Sequence, residues 1–324
     1  MRDHGGNIDQ AVRAYGGGDW IDLSTGINRR PYPMPALTAD DLRRLPPRSA
    51  QDALLEAARS AWQVAPGWAG LALAGAQAAI QLVPRLLPRG RARVLGPTYN
   101  EHAATLRAEG WEVADCPKAS DLDGADLAVV VNPNNPDGRV LTKAALTALA
   151  GRVGLLVVDE SFADPLPGLS LLPQAPGGTV LVLRSFGKFY GLAGLRLGFA
   201  FGPAPLIARM AAMLGPWPVS GPALAAGQAA LSDIGWAREM SDQLAQDAAR
   251  ADALAQAAGW ALVGGTPLFR LYDTPDAAAA QDRLARHRIW SRTFPYSARW
   301  LRLGLPGPEP EWQRLAEALS NSGT

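Results

Sequence analysis

Residues 185–196 read SFGKFYGLAGLR, Ser185 to Arg196, and the rest of the chain is read outward from them. They follow TVLVLR, a β-branched and apolar run with the signature of a buried strand. They overlap GLRLGFAFG, which adds another short apolar run on the far side. A lone lysine is most often a solvated surface charge. Lys188 instead sits in a loop of Gly, Ser and aromatic residues, with Ser185 three residues before it and Arg196 eight after. A hydroxyl and a guanidinium flanking an amine suit a phosphate ester held beside a Schiff-base lysine. Arginine makes planar, charge-assisted hydrogen bonds to phosphate, and an amine near other cations loses its proton more readily.

The neighbouring segments repeat a strand that ends in polar residues. LALAGAQAAIQLVPRLL, 71–87, reads as strand, small-residue turn and helix. Gly75, Ala76 and Gln77 there would offer free N–H groups and a positive helix end to an anion. RVLGPTYNEHAATLRAEGWEV, 93–113, places Tyr99 in a turn at a strand end, where a ring can lie flat on a ligand, and His102 three residues on. DLAVVVNPNNPDGRV, 126–140, is a continuous apolar strand ending in a Pro/Asn turn that holds Asn135. LLVVDESFAD, 155–164, ends in Asp159, at the strand end where open α/β sheets bind ligands.

This alternation predicts an α/β fold: a mostly parallel sheet sandwiched by helices, with a smaller α/β lobe. The expected division is 1–40 as N-terminal arm and part of the small lobe, 41–222 as the large domain, and 223–324 as the small C-terminal domain. Helices are expected over 38–64, broken at Pro46-Pro47 and capped by a Ser49–Asp52 box, and over 201–215 and 222–258. A helix is expected over 277–287, then the stretches IWSRTF and SARWLRLGLP, and a closing helix over 311–319.

The chain has 324 residues, which suffices for one large core and a smaller lobe. A net charge of +1 gives no reason to expect nucleic-acid binding. Cys116 is the only cysteine, so no internal disulfide forms, which fits a reducing, cytoplasmic setting. The N-terminus lacks an apolar signal core, and the apolar stretch 65–88 is broken by Pro66, Gln77, Gln81, Pro84 and Arg85, so no membrane span is expected. No metal site is expected either.

SFGKFYGLAGLR resembles the lysine motif of the fold-type I aminotransferase superfamily, enzymes that use pyridoxal 5'-phosphate. The resemblance implies that Lys188 holds the cofactor covalently and that Asp159 pairs with its ring nitrogen. Tyr99 stacks on the ring, and His102 stands behind Asp159. Gly75, Ala76, Gln77, Ser185 and Arg196 hold the phosphate, and Asn135 bonds the ring oxygen and faces substrate. Lys188, Asp159 and Tyr99 are the expected catalytic residues. Phe162 stands where many relatives have a tyrosine that bonds the ring oxygen, and RLPPRSAQ, 44–51, lacks the tyrosine that reaches a neighbouring subunit's cofactor.

DHGGN, 3–7, followed by DLSTGIN, 22–28, resembles the opening of the threonine-phosphate decarboxylases of cobalamin biosynthesis. In that family the N-terminal arm and the loop asparagine hold the substrate phosphate, which here implies His4, Gly5 and Asn28. Arg29 replaces the usual proline. Arg302 in RWLRLGL matches the arginine for the substrate carboxylate, and Arg292 in HRIWSR matches a phosphate-binding one. The implied reaction is decarboxylation of O-phospho-L-threonine, by a homodimer acting on a small phosphorylated amino acid. One alternative is an aminotransferase for a phosphorylated amino compound, resembling histidinol-phosphate aminotransferase, which breaks Cα–H instead. Another is a weakly active partner of a cobalamin-pathway protein. DHGGN and Phe162 favour the decarboxylase.

Overall fold

Short continuous apolar runs become the inner strands, because a strand covered by helices on both faces leaves no side for polar residues. A computed structural model describes residues 4–174 and 179–320. Asp3 of the DHGGN stretch lies outside them. The chain opens with α1 (Ile8–Tyr15) and β1 (Ile21–Asp22). Next come α2 (Ala39–Arg43), α3 (Arg48–Ala61), β2 (Ala69–Leu73) and α4 (Ala76–Leu82). Then follow β3 (Arg91–Leu95), α5 (Asn100–Ala108), β4 (Glu112–Cys116), β5 (Leu127–Val131), α6 (Lys143–Ala150), β6 (Leu155–Asp159) and β7 (Val180–Ser185). The single turn α7 (Phe186–Phe189) carries Lys188 into β8 (Gly198–Gly202). The remainder is α8 (Ala204–Leu214), α9 (Gly221–Ser232), α10 (Ile234–Ala257), β9 (Ala261–Thr266), β10 (Phe269–Asp273) and α11 (Ala277–Arg286). It closes with β11 (Ile289–Trp290), β12 (Arg292–Phe294), β13 (Ser297–Gly304) and α12 (Glu309–Ser320).

Two compact units result. The larger comprises Tyr32–Asn135 and Val140–Arg238, the smaller Met1–Pro31, Pro136–Arg139 and Glu239–Thr324. The larger holds a seven-stranded sheet in the order β2-β8-β7-β6-β5-β3-β4. From β7 to β4 all pairs are parallel, and β8 runs antiparallel to both of its neighbours. The link from β7 to β8 is spent on the lysine turn. It contains no crossover helix, so the chain doubles back beside the strand it left. Every residue of β5, β6 and β8 is buried. Val129, Val157 and Leu183 pack with Ile80, Leu106 and Met210 from the covering helices. Because β3, β5, β6 and β7 are parallel, the loops after them, with Tyr99, Asn135, Asp159 and Lys188, leave the same edge of the sheet.

The expected Ser49 cap is corrected. Two prolines hold the chain extended up to Pro47, which is itself the N-cap, so Ser49 lies inside α3. A capping box forms at α2 instead: Thr38 Oγ1 accepts from the Asp41 N–H at 3.3 Å, and Asp41 Oδ2 accepts from the Thr38 N–H at 2.7 Å. The helix expected from residue 201 begins at Ala204, because Phe201 and Gly202 complete β8.

The smaller unit has an antiparallel sheet, β12-β13-β10-β9, and a parallel pair of β1 with β11. The segment 136–139 lies on β9 so closely that a Cβ on Gly138 would strike the Gly265 backbone, and one on Gly264 would strike the Asp137 carbonyl. Among the described residues, no helix is long and apolar enough to cross a membrane, and no cluster of His, Cys, Asp and Glu could hold a metal ion.

Candidate active site

Asp159 ends β6 and is fully enclosed. His102 Nε2 lies 2.9 Å from its Oδ2, and Oδ1 accepts from the Ser161 N–H at 3.0 Å and the Ser161 hydroxyl at 2.5 Å. Burial pushes the Asp159 pKa up. The hydrogen bond and charge of His102 and the two bonds from Ser161 outweigh it, holding the carboxyl below the ordinary carboxylate range. The product is an ionised carboxylate in a dry place, suited to a protonated ring nitrogen.

The Lys188 Nζ stands 5.7 Å from the centroid of the Phe162 ring. Aromatic packing fixes its turn. Phe186 stacks on Tyr190 at 4.5 Å between ring centroids, and Tyr190 stacks on Trp236 at 5.5 Å. Phe189 meets Tyr190 and Trp236 edge-on. The Tyr190 phenol is driven well above its ordinary pKa, chiefly by burial.

A phosphate cradle sits at the start of α4. Gly75 has φ +82°, and a Cβ on it would lie 2.8 Å from Arg196 Nη2. A Cβ on Gly198 would collide with the Ala76 amide nitrogen. The guanidinium thus lies over the Gly75–Ala76 turn, held by an Nη1 bond to the Ala193 carbonyl at 3.1 Å. Arg196 itself takes the left-handed backbone conformation, φ 53°, that aims it there. The Gly75 N–H is not among the free donors expected there, because it donates to the Leu73 carbonyl at 2.7 Å. The guanidinium, the amides of Ala76 and Gln77 and a helix end remain to meet a phosphate dianion. Ser185, half-buried, makes no cap bond to α7.

Gln77 differs from the expectation in one respect. Its side chain accepts from the Tyr99 hydroxyl at 3.2 Å and donates to Glu101 Oε2 at 3.2 Å, so its amide group is turned to two protein partners. Tyr99 meets the His102 ring edge-on, 6.1 Å between centroids. Asn135 is buried. Its neighbour Asn134 donates to the Pro97 carbonyl at 2.9 Å and accepts from Thr98 Oγ1 at 2.6 Å, tying the Asn135 loop to the Tyr99 loop. Sequence reasoning missed Asn134, Glu101 and Ser161. The one available signal was that NPNNP holds more asparagines than a turn needs. Together the buried carboxylate, the lysine and the cradle are chemically suited to pyridoxal phosphate.

The smaller unit carries the other residues. Arg292 and Arg302 are direct partners across β12 and β13, so their side chains leave the same face. Like charges placed opposite one another repel, and an anion relieves this. Arg302 is 2% exposed. Its Nη2 donates to the Ser24 carbonyl at 2.6 Å, and its guanidinium lies 5.2 Å from the Phe269 ring centroid. Ser24 Oγ accepts from the Gly6 N–H at 2.7 Å, bringing in the N-terminal arm. A Cβ on Gly5 would strike the Ser24 carbonyl, so glycine is required there. His4, next along the arm, is exposed. Asn28 is buried and accepts from the Arg30 N–H at 2.9 Å. Arg29, in place of proline, holds this loop through a two-pronged ion pair with Glu311, whose Oε2 also accepts from the Gly307 N–H at 2.8 Å.

The family described as aminotransferase class I and II matches residues 20–319. A threonine-phosphate decarboxylase of a Sinorhizobium species is 44% identical over 326 residues, covering 98% of this chain and 97% of that one. One from Pseudomonas aeruginosa is 44% identical over 328 residues, with the same coverage. The solved histidinol-phosphate aminotransferase of Sinorhizobium meliloti, in complex with pyridoxal-5'-phosphate, superposes with a TM-score of 0.83. It is 21% identical and covers 97% of this chain and 93% of its own.

Proposed function

The chain belongs to the aminotransferase class I and II family, and on that premise we infer that it is a pyridoxal 5'-phosphate-dependent threonine-phosphate decarboxylase of cobalamin biosynthesis. It converts O-phospho-L-threonine to CO2 and (R)-1-aminopropan-2-ol phosphate. When bound, the cofactor supplies the sink for the electron pair left as CO2 departs.

The chain's own residues do the rest. Lys188 holds the cofactor covalently, Asp159 its ring nitrogen, and Asn135 its ring oxygen. Tyr99 covers the ring face. Arg196, Ser185 and the amides of Ala76 and Gln77 take its phosphate, at the turn that Gly75 makes. Arg302 binds the substrate carboxylate, while Arg292, Asn28, Gly5 and His4 bind the substrate phosphate. Anchoring both ends of a short molecule fixes its rotation about Cα and so selects the bond that breaks. Lys188 Nζ, displaced from the cofactor by the substrate amine and protonated, would then deliver the proton that replaces CO2 on Cα.

The observation that supports this reading is the Arg292–Arg302 pair on one face of the small sheet, whose two charges suit a ligand with two anionic groups. The test is a product assay on cofactor-loaded protein with O-phospho-L-threonine and no keto acid. Catalytic release of CO2 with the amine phosphate is expected. No CO2, with amino transfer once a keto acid is added, would reassign the protein to the aminotransferases. We also propose a homodimer in the reducing setting of the cytoplasm, the oligomeric state to be read by light scattering.

A further inference from the structure

We propose that Ser24 is a positioning residue that sets the spacing between the carboxylate anchor Arg302 and the phosphate-binding arm, and with it the length of phosphorylated amino acid accepted. The roles of the two anchors rest on the decarboxylase reading above.

Ser24 is 1% exposed and works in two directions. Its hydroxyl accepts from the Gly6 N–H at 2.7 Å and donates to Asp22 Oδ1 at 2.5 Å. Its carbonyl accepts from Arg302 Nη2 at 2.6 Å, and its own N–H donates to Asp22 Oδ1 at 2.9 Å. A hydroxyl has one proton, so the bond to Asp22 leaves its lone pairs for Gly6. The arm and the arginine are therefore fastened to a single residue. Both neighbours of Ser24 are pinned to β13. The Gly304 N–H donates to the Leu23 carbonyl at 2.7 Å, and a Cβ on Gly304 would strike the Thr25 carbonyl. The segment thus cannot slide along the strand that presents Arg302. On the other side, Gly5 lies on the same Ser24 carbonyl that Arg302 uses.

An amino acid phosphorylated on its β-oxygen has a fixed reach between carboxylate and phosphate. O-phospho-L-homoserine exceeds that reach by one methylene. A rigid junction between the anchors favours the shorter ligand, and a loosened one does not.

The test is Ser24→Ala, which removes the hydroxyl and keeps the carbonyl bond to Arg302. Binding to cofactor-loaded protein is read by calorimetry with two probes: inorganic phosphate, and L-threonine, which has the carboxylate and no phosphate. The dissociation constant for phosphate is expected to rise about tenfold, the loss of one buried hydrogen bond, and that for L-threonine to change by less than about twofold. The kcat/KM preference for O-phospho-L-threonine over O-phospho-L-homoserine is expected to fall about tenfold. Gly5→Ala, which pushes the arm off Ser24 with the hydroxyl intact, should weaken phosphate in the same selective way. Unchanged phosphate binding, or an equal loss of both probes, in both variants overturns the proposal. If wild type releases no CO2 while phosphate alone is weakened in the variants, the decarboxylase reading falls and the positioning role stands.

Discussion

His102 and Asp159 meet at 2.9 Å with both side chains shut away from solvent, 1% and 4% exposed. The Asp159 carboxyl is held below its ordinary range despite burial. A depressed folded-state value means that the ionised group adds stability in full above the unfolded value, about 3.9, and that this is lost as pH falls through the folded value. Replacing the imidazole, as in His102→Phe, lets burial raise the carboxyl. On acidification the cofactor should then leave at a pH about one unit higher than in wild type. The loss of visible absorbance measures this midpoint. An unshifted midpoint would mean that Ser161 alone keeps Asp159 ionised.

Gly75→Ala probes the cradle. Its β-carbon would lie 2.8 Å from Arg196 Nη2, on a backbone with φ +82°. The combined clash and strain should weaken cofactor binding about tenfold or more, read by quenching of tryptophan fluorescence on titration. Wild-type affinity would show that the guanidinium can move aside without consequence.

Arg302→Lys keeps the charge and loses the planar fork, along with the bond to the Ser24 carbonyl. Its KM for O-phospho-L-threonine should rise about tenfold to a hundredfold, and the lost buried bond should cost about 1–3 kcal/mol of stability. An unchanged KM would remove Arg302 from the carboxylate.

Behind the site, Arg184 is buried between two carboxylates, 3.0 Å from Glu160 and 2.7 Å from Asp164, with Trp62 under its guanidinium at 4.5 Å. Arg184→Met strands both acids and should destabilise the protein by about 3–5 kcal/mol at neutral pH in denaturant titrations. Burial already raises the Glu160 pKa in wild type, against the pull of Arg184. A carboxyl raised on folding holds its proton better in the native state, so its cost grows as pH rises through the folded value. Without Arg184 that value climbs further. The deficit should therefore shrink as pH is lowered toward 5, and a pH-independent deficit would count against a charge origin.

Much of the large unit could be read from local pattern. LAVVV and LLVVD are strands because their runs are continuous, and Asp159 and Lys188 follow strand ends whose positions the apolar runs mark. What escaped depends on partners distant in sequence. Nothing near Gln77 says that its side chain answers to Tyr99 and Glu101. Asn134 is fixed by Pro97 and Thr98, more than thirty residues upstream. The reversal of β8 follows from what its linker lacks, a crossover helix. Ser49 misled because a capping pattern is a local signal, and the proline pair before it moved the helix start.

The bond between Arg302 and the Ser24 carbonyl joins positions 278 residues apart. On a ribosome adding about 5–20 residues per second, the N-terminal segment is made first and waits roughly 15–55 s for the strand that receives it. During that interval the arm and the Ser24 turn have no sheet to dock on. Premature termination between residues 196 and 302 therefore yields a chain that contains the proposed cofactor residues and lacks Arg302, so its anion pair is incomplete. Maturation of the substrate anchors is timed by the end of translation.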